Sequence, residues 1–241
     1  MNLILKDCRV DEKCSYIEDN RQNTHYQIID KCSTTHCHDL VVRGWRRFGK
    51  MFFRPMCDGC SSCESVKVNV DEFKFTKSKR RIIKKNSHIR VVVQKPVMSK
   101  HHLALFDKYH KFKGHQRDWD YKKTTSQNYF YSFVDGANEF GYEVLYLDGD
   151  KLIGVDLIDI LPTGISSIYF YYDTDYLHLS LGHYSLYQQI KIAKRYRLKW
   201  IYLGYYVKDC QSLEYKSSYQ PQEVLQGRPE IDEKDEWKLK V

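Results

Sequence analysis

The pattern of apolar and polar positions divides the chain near Pro96. Before it, short β-branched runs such as Ser65 to Val70 and Ile89 to Val93 read as strands, and no stretch holds the period of a long helix. After it, Ser99 is placed to cap a helix through His102, Leu103, Leu105, Phe106, Tyr109 and Phe112, with Gly114 as its end. Tyr142 to Leu147 and Leu152 to Ile160 predict strands joined by an Asp148-Gly149 turn, and Ile165 to Tyr172 predicts another after Pro162-Thr163-Gly164. Leu186, Ile190, Ala193 and Tyr196 recur at helical spacing and predict a helix over about Tyr184 to Arg197; Trp200 to Tyr206 then reads as a strand.

The closing strand-helix-strand unit implies a parallel pair joined by a right-handed crossover. Antiparallel strands feeding one such crossover are the arrangement of an acetyltransferase-like (GNAT) domain, among other α+β sheets. The expected architecture is α+β: a cysteine-rich, basic N-terminal domain over 1–95, a GNAT-like catalytic domain with a mixed sheet over 96–227, and a loose charged tail over 228–241.

A chain of 241 residues buries a substantial core, which excludes a disordered tail or a disulfide-stapled miniprotein. Its net charge of +8 is unevenly spread. Between Arg43 and Arg90 lie fourteen basic and four acidic residues, so that segment carries +10 and the remainder −2. Such a concentration points to polyanionic partners. No apolar run approaches the ~18 residues needed to cross a bilayer, and the stretch before Lys6 is too short for the apolar region of an export signal. The expectation is a soluble cytoplasmic protein with no membrane partner, whose eight cysteines stay reduced.

Cys57, Cys60 and Cys63 form C-x2-C-x2-C directly after Arg54-Pro55. Two intervening residues let successive thiolates turn toward one ion, and a third gives a three-point chelate. Zinc, an iron–sulfur cluster and a set of metal-free thiols all remain open. Cys32, His36, Cys37 and His38 make a second potential ligand group, read more simply as a polar loop.

Several segments together resemble the bacterial aspartate/glutamate leucyltransferases of the arginyl-tRNA protein transferase family. They are Cys14-Ser15-Tyr16-Ile17, Gly44-Trp45-Arg46-Arg47-Phe48-Gly49, Phe53-Arg54-Pro55 with the cysteine run, and Phe75 to Arg81. Further on come Ile168 to Asp173, Leu179-Ser180-Leu181-Gly182, Tyr202 to Tyr206, Cys210, and Tyr215-Lys216 with Pro221 and Glu223. The collinear match spans about residues 12 to 225, with departures at Thr174 and His183.

The resemblance implies transfer of an amino acid, esterified to tRNA, to the N-terminal amine of proteins beginning with Asp or Glu, which marks them for degradation. It implies Cys14 as the fourth partner of the cysteine run and no cofactor for the transfer itself, so any zinc or iron–sulfur cluster is structural or regulatory. It leads us to place the tRNA 3′ end at Ser180 to His183, where Gly182 lets an acceptor approach free amides at a helix start. Asp173 is the expected holder of the attacking amine, and so with Ser180 and Gly182 a candidate catalytic residue. An arginine fork matches a carboxylate, so Arg46, Arg47, Arg54 and Arg81, with Lys216, are candidates for the acidic N-terminal residue. Lys77, Lys79, Arg80, Lys84 and Lys85 are placed on RNA phosphate, and Tyr172 and Tyr205 on its bases. Arginine as the transferred residue, an acetyl-CoA-dependent acetyltransferase and a non-catalytic tRNA-binding protein are the alternatives. The acetyltransferase is disfavoured because a Q/R-x-x-G-x-G/A loop is missing before the second helix.

Overall fold

A computed structural model describes residues 2–117 and 120–240. The N-terminal part contains β1 (Leu3–Lys13), β2 (Arg21–Lys31), α1 (Thr34–Val42), β3 (Arg46–Phe48), β4 (Met51–Pro55), β5 (Glu64–Asn69), α2 (Lys77–Lys85) and β6 (Arg90–Gln94). Then follow α3 (Lys100–Arg117), α4 (Ser126–Tyr129), β7 (Gly141–Asp148), β8 (Lys151–Leu161), β9 (Gly164–Tyr172), α5 (Leu181–Arg195) and β10 (Trp200–Tyr206). Two short strands, β11 (Gln222–Leu225) and β12 (Trp237–Leu239), complete a mixed α+β architecture.

Strands β1, β2, β4 and β3 form a small antiparallel sheet in that order. The larger sheet runs β12-β11-β5-β10-β9-β8-β7-β6. All its neighbours are antiparallel except β9 and β10, which are parallel. The expected crossover is therefore present, and α5 makes it. One face of the large sheet packs Val144, Tyr146, Ile153 and Ile201 against Leu181, Tyr184, Leu186 and Ile190 of α5. In a separate core, Val155, Leu157 and Tyr171 meet Leu105 of α3 and Tyr129 of α4. A third core joins the sheets: Cys37, Leu40 and Val41 of α1 pack with Ile29, Phe52, Leu161 and Trp200.

Several expectations change. Strands β5 and β6 precede Pro96 yet belong to the large sheet, so that sheet crosses the sequence boundary. The Cys32-His36-Cys37-His38 stretch, expected as a loop, lies at and within α1, capped by Ser33. Helix α3 continues past Gly114 to Arg117, because an interior glycine costs only about 1 kcal/mol against alanine. The second long helix begins at Leu181, three residues before the expected start. Residues 228–241, expected to be loose, supply β12, and the half-buried Trp237 packs against the inter-sheet core. The Lys67 ammonium lies 3.9 Å from the Trp200 ring and 4.3 Å from the Trp237 ring, Arg43 donates to the Glu230 and Glu233 carbonyls, Arg54 to the Pro229 carbonyl, and Lys240 pairs with Glu64, so contacts with the body of the chain hold the segment down. Segment-averaged composition hides such anchors.

Between the sheets, Arg47 of β3 forms a buried two-pronged ion pair with Asp159 of β8, its Nε lying 2.9 Å from Oδ2, and it donates to the Gly49 carbonyl at 2.8 Å. Removing one partner strands a buried charge. We expect Arg47→Met to lose about 3–5 kcal/mol in urea unfolding and Arg47→Met/Asp159→Leu to regain much of it. Equal losses in the two variants would show that the ion pair itself does not set the cost.

Candidate active site

Strands β9 and β10 pair only from Gly164 to Ser166 against Trp200 to Tyr202, although both continue farther. Beyond that point β9 stays with β8 and β10 with β5, leaving an opening in the middle of the sheet. Arg46, from the small sheet, fills it. Its guanidinium donates to the Ser167 carbonyl on β9 and, at 3.4 Å, to the Tyr202 carbonyl on β10. On the β10 side stands Gly204, with φ +78°, and a Cβ built there would come within 2.9 Å of the Arg46 Nε. Glycine is thus required both for the backbone conformation and for the close approach of the arginine.

Lys216 lies in a short 3-10 turn, Glu214–Ser218, beside the same opening. Only 9% exposed, its ammonium donates to the Tyr205 carbonyl at 2.7 Å and has no carboxylate partner among the described residues. Burial pushes its pKa down to about 7, the positive charge of Arg46 adds to the effect, and Cys210 opposes it.

The other proposed carboxylate readers are committed elsewhere. Arg47 is locked to Asp159. Arg54 stacks over Trp45 at 4.8 Å, donates to the Pro229 carbonyl at 2.8 Å and pairs with Glu230 at 2.5 Å. Arg81 is exposed on α2, outside the opening. Of the five candidates, Arg46 and Lys216 are the two that lie at the opening, and Arg81, though unpaired among the described residues, is away from it.

Asp173 also departs from its expected part. Its carboxylate is held by Lys108 and Lys151, the latter at 2.9 Å, and accepts the Asp175 amide at 3.1 Å. Burial pushes its pKa up, but the lysine hydrogen bonds outweigh that and hold it below the usual carboxylate value. It is a clamped anion, poorly suited to accept a proton, in the wall of a cavity of about 510 Å³ between α3 and the β7–β8 hairpin.

The start of α5 keeps the features expected of it. Ser180 adopts the left-handed conformation, and a Cβ on the exposed Gly182 would meet nothing within 4 Å. His183 hydrogen-bonds the Tyr219 hydroxyl at 2.7 Å, and Tyr187 packs against the same ring. Helix α2 lies beside this corner: Lys85 donates to the His178 carbonyl and Asn86 to the Leu179 carbonyl. Lys77, Arg81 and Lys84 are exposed there without a partner among the described residues. Arg80 is tied to the Phe75 carbonyl, and Lys79 covers the Phe73 ring. Tyr172 is half-buried and stacked on Phe170. Tyr205 is buried, its hydroxyl donating to the Gly44 carbonyl at 2.7 Å, so it offers no face for a base.

Burial raises the Cys63 thiol to about 12, and the charges of Cys14, Cys57 and Cys60 act in the same direction. Among the described residues no group of three or more Cys, His, Asp or Glu side chains is arranged to hold a metal ion.

Two residues at the site went unforeseen. Asp156 of β8 and Gln189 of α5 are buried beneath the crossover and joined by a 2.8 Å hydrogen bond. Gln189 also reaches the Ser167 hydroxyl, at 3.1 Å. The available signal was polarity where pattern calls for an apolar side chain: an aspartate within Leu152 to Ile160, and a glutamine beside Ile190 on the inward face of α5.

Comparison with known proteins places the sequence. The family models described as the N terminus and the C terminus of arginine-tRNA-protein transferase match residues 12–81 and 101–226. A protein of Campylobacter jejuni (serotype O:6, strain 81116) named aspartate/glutamate leucyltransferase is 45% identical over 228 residues, 95% of each chain. One of the same name from Helicobacter hepaticus is 38% identical over 226 residues, 94% of each chain. Among solved structures, that of FemX matches with a TM-score of 0.45 and 9% identity over 76% of this chain and 63% of that one.

The depressed Lys216 pKa makes a prediction about stability. The unfolded chain holds this proton up to its ordinary value of 10.5, while the folded chain releases it near 7. Between those values the unfolded state binds more protons, so this lysine makes stability rise with pH. We expect the stability advantage of Lys216→Met over the unsubstituted protein to shrink from pH 7 to pH 10 in urea unfolding. A difference independent of pH would overturn the assignment.

Proposed function

The chain belongs to the arginine-tRNA-protein transferase family, and on that premise we propose that it moves leucine from leucyl-tRNA to the N-terminal amine of proteins beginning with Asp or Glu. The product is a degradation signal of the N-end rule pathway, made in the cytoplasm. The observation that carries this reading is a pair of cations without a carboxylate, Arg46 and Lys216, at an opening in the sheet. The crossover helix rises from the carboxyl end of β9, one of the two strands that part there. The names of the relatives favour leucine over arginine.

A GNAT-like catalytic unit fits the element order. One strand, β6, leads into helices α3 and α4; β7, β8 and β9 follow as antiparallel neighbours; α5 crosses over to the parallel β10. Ligands of open α/β sheets bind at the carboxyl ends of strands, beside helix starts. Backbone amides at Leu181 and Gly182 then meet the last phosphates of the tRNA, and Lys77, Arg81 and Lys84 meet phosphates farther along. Arg81 thereby moves from reading the substrate side chain to holding RNA.

The acidic side chain of the acceptor protein enters the opening between Arg46 and Lys216. A carboxylate there relieves the repulsion between the two cations and restores the lysine's proton. The amine nitrogen, partly neutral near its usual pKa of ~7.7 to 8, attacks the ester carbonyl. The carbon–oxygen bond to the ribose breaks, the ribose oxygen ends with a proton from the amine, and a peptide bond forms. Positioning supplies much of the rate, so the clamped Asp173 is not needed as a base.

The four clustered thiols remain our candidate ligands for a structural or regulatory zinc ion or iron–sulfur cluster. Their donor chemistry suits either, whereas their present arrangement is not that of a bound ion, and no step of the transfer is derived through one. Metal analysis of the purified protein is expected to show an ion that Cys57→Ser and Cys60→Ser both lose; unchanged metal content and folding would make the cluster incidental.

Labelled leucyl-tRNA and arginyl-tRNA mixed with peptides beginning with Asp, Glu or Ala test the main reading. Label is expected from leucyl-tRNA on the acidic peptides alone. Arg46→Lys should lose at least tenfold in kcat/KM for them, since a lysine cannot span the two carbonyls. Arg81→Ala should lower the slope of tRNA affinity against salt by about 1. Absence of label on acidic peptides from either tRNA would overturn the transferase reading, and tight coenzyme A binding would favour an acetyltransferase.

A further inference from the structure

Beneath α5 lie two buried acceptors that the mechanism above leaves unused. Asp156 is fully buried and Gln189 is 1% exposed, and both Asp156 Oδ1 and Gln189 Oε1 lack a hydrogen-bond partner among the described residues. The Gln189 amide nitrogen is spent on Asp156 Oδ2 and the Ser167 hydroxyl, so with Asp156 ionised the free atoms of the pair are acceptors only. Leaving a buried acceptor unpaired costs roughly 1–3 kcal/mol, and here there are two side by side. Such a pair calls for a ligand with several N–H or O–H donors.

Ser167 ties this pair to the opening in the sheet. Its hydroxyl accepts from Gln189 and its carbonyl accepts from Arg46, and it is the first β9 residue past the last one paired with β10. The Arg46 side of Ser167 is where the acceptor protein's side chain was assigned. The opposite side, under α5, remains for the donor.

Length agrees. From Leu181 to Gln189 the helix rises about 12 Å at 1.5 Å per residue. From the phosphate of the terminal nucleotide, through its ribose and the ester, to the amine of the aminoacyl group runs a chain of eight bonds, which reaches about 10 Å when extended. A phosphate at the amides of Leu181 and Gly182 therefore leaves that amine about 2 Å short of the Gln189 backbone, a gap that the glutamine side chain, leaning toward the start of the helix, closes.

We propose that Asp156 and Gln189 bind the α-ammonium of the aminoacyl group on the tRNA, and so select free aminoacyl esters over N-acylated ones. The proposal rests on the transferase reading and on the phosphate assigned to the start of α5. The ammonium has three donors for the two free acceptors and the already shared Ser167 hydroxyl. Without it, burial raises the Asp156 carboxyl to about 7, with the Gln189 hydrogen bond opposing; a cation at Oδ1 would favour the ionised form. Asp156 and Gln189 act here as donor-binding residues, separate from the attack on the carbonyl.

The test compares leucyl-tRNA with N-acetyl-leucyl-tRNA on the full-length protein, by equilibrium binding without a peptide and by transfer kinetics with one. The unsubstituted protein is expected to bind the free amine at least tenfold more tightly. Asp156→Asn, which keeps shape and one hydrogen bond, should erase that preference and raise KM for leucyl-tRNA while KM for the acidic peptide stays unchanged. Gln189→Met, which keeps volume and removes the acceptor, should do the same and replaces Asp156→Asn if that variant unfolds. Equal binding of both tRNAs by the unsubstituted protein would overturn the proposal, as would a change confined to the peptide KM, which would assign the pair to the attacking amine. Intact discrimination in both variants would mean that buried water satisfies the pair. The transferase reading fails separately, through absence of leucine transfer by the unsubstituted protein.

Discussion

The site depends on one insertion: an arginine from the small sheet held inside a gap of the large one. Two adjacent parallel strands that stop pairing expose carbonyls that would otherwise be bonded, and buried carbonyls need donors. Arg46 supplies them to Ser167 and Tyr202, so these two carbonyls keep a donor where the strands part. Gly204 makes room, since any side chain there would collide with the guanidinium. The N-terminal sheet is therefore part of the site, and the buried Arg47–Asp159 pair, one residue along β3, fixes its position against β8.

Electrostatics around this insertion follows a division of labour. Most arginines of the +10 segment near the core are neutralised or capped by carbonyls, as Arg47 and Arg54 are. Outside that segment, Lys216 is buried, close to Arg46 and bonded to a carbonyl with no carboxylate partner among the described residues, and it keeps its proton weakly. A site of this kind favours an incoming carboxylate because the protein itself has left the charge uncompensated. On the other side of Ser167 the polarity reverses, with two unpaired acceptors under α5. Cations on one side and acceptors on the other suit a reaction whose two substrates present an acidic side chain and an amine.

Much of the framework was legible in the chain. The strands β7 to β10 and the helix α5 emerge from alternation, turn residues and helical spacing, since each is decided by neighbours in sequence. The glycine at 182 and the basic run of α2 were readable for the same reason. The clamp on Asp173 was not, because Lys108 and Lys151 lie far from it in sequence and meet it only when α3 and the β7–β8 hairpin come together. The ordered segment around Trp237 escaped notice because its anchors, the Trp237 indole and the contacts of Arg43, Arg54 and Lys67, join residues far apart in sequence, while its average composition is that of a solvated tail.

By itself the sequence determined the α+β order, the parallel crossover, the concentration of positive charge and, through its motifs, the family. Only the tertiary structure decided which of five cations are paired with a carboxylate of the protein itself, as Arg47 and Arg54 are, and which carboxylate, Asp173 or Asp156, is already satisfied. The reason is physical: residue type sets the charge a side chain can carry, while its remaining capacity to bind is what is left after partners distant in sequence have taken their share.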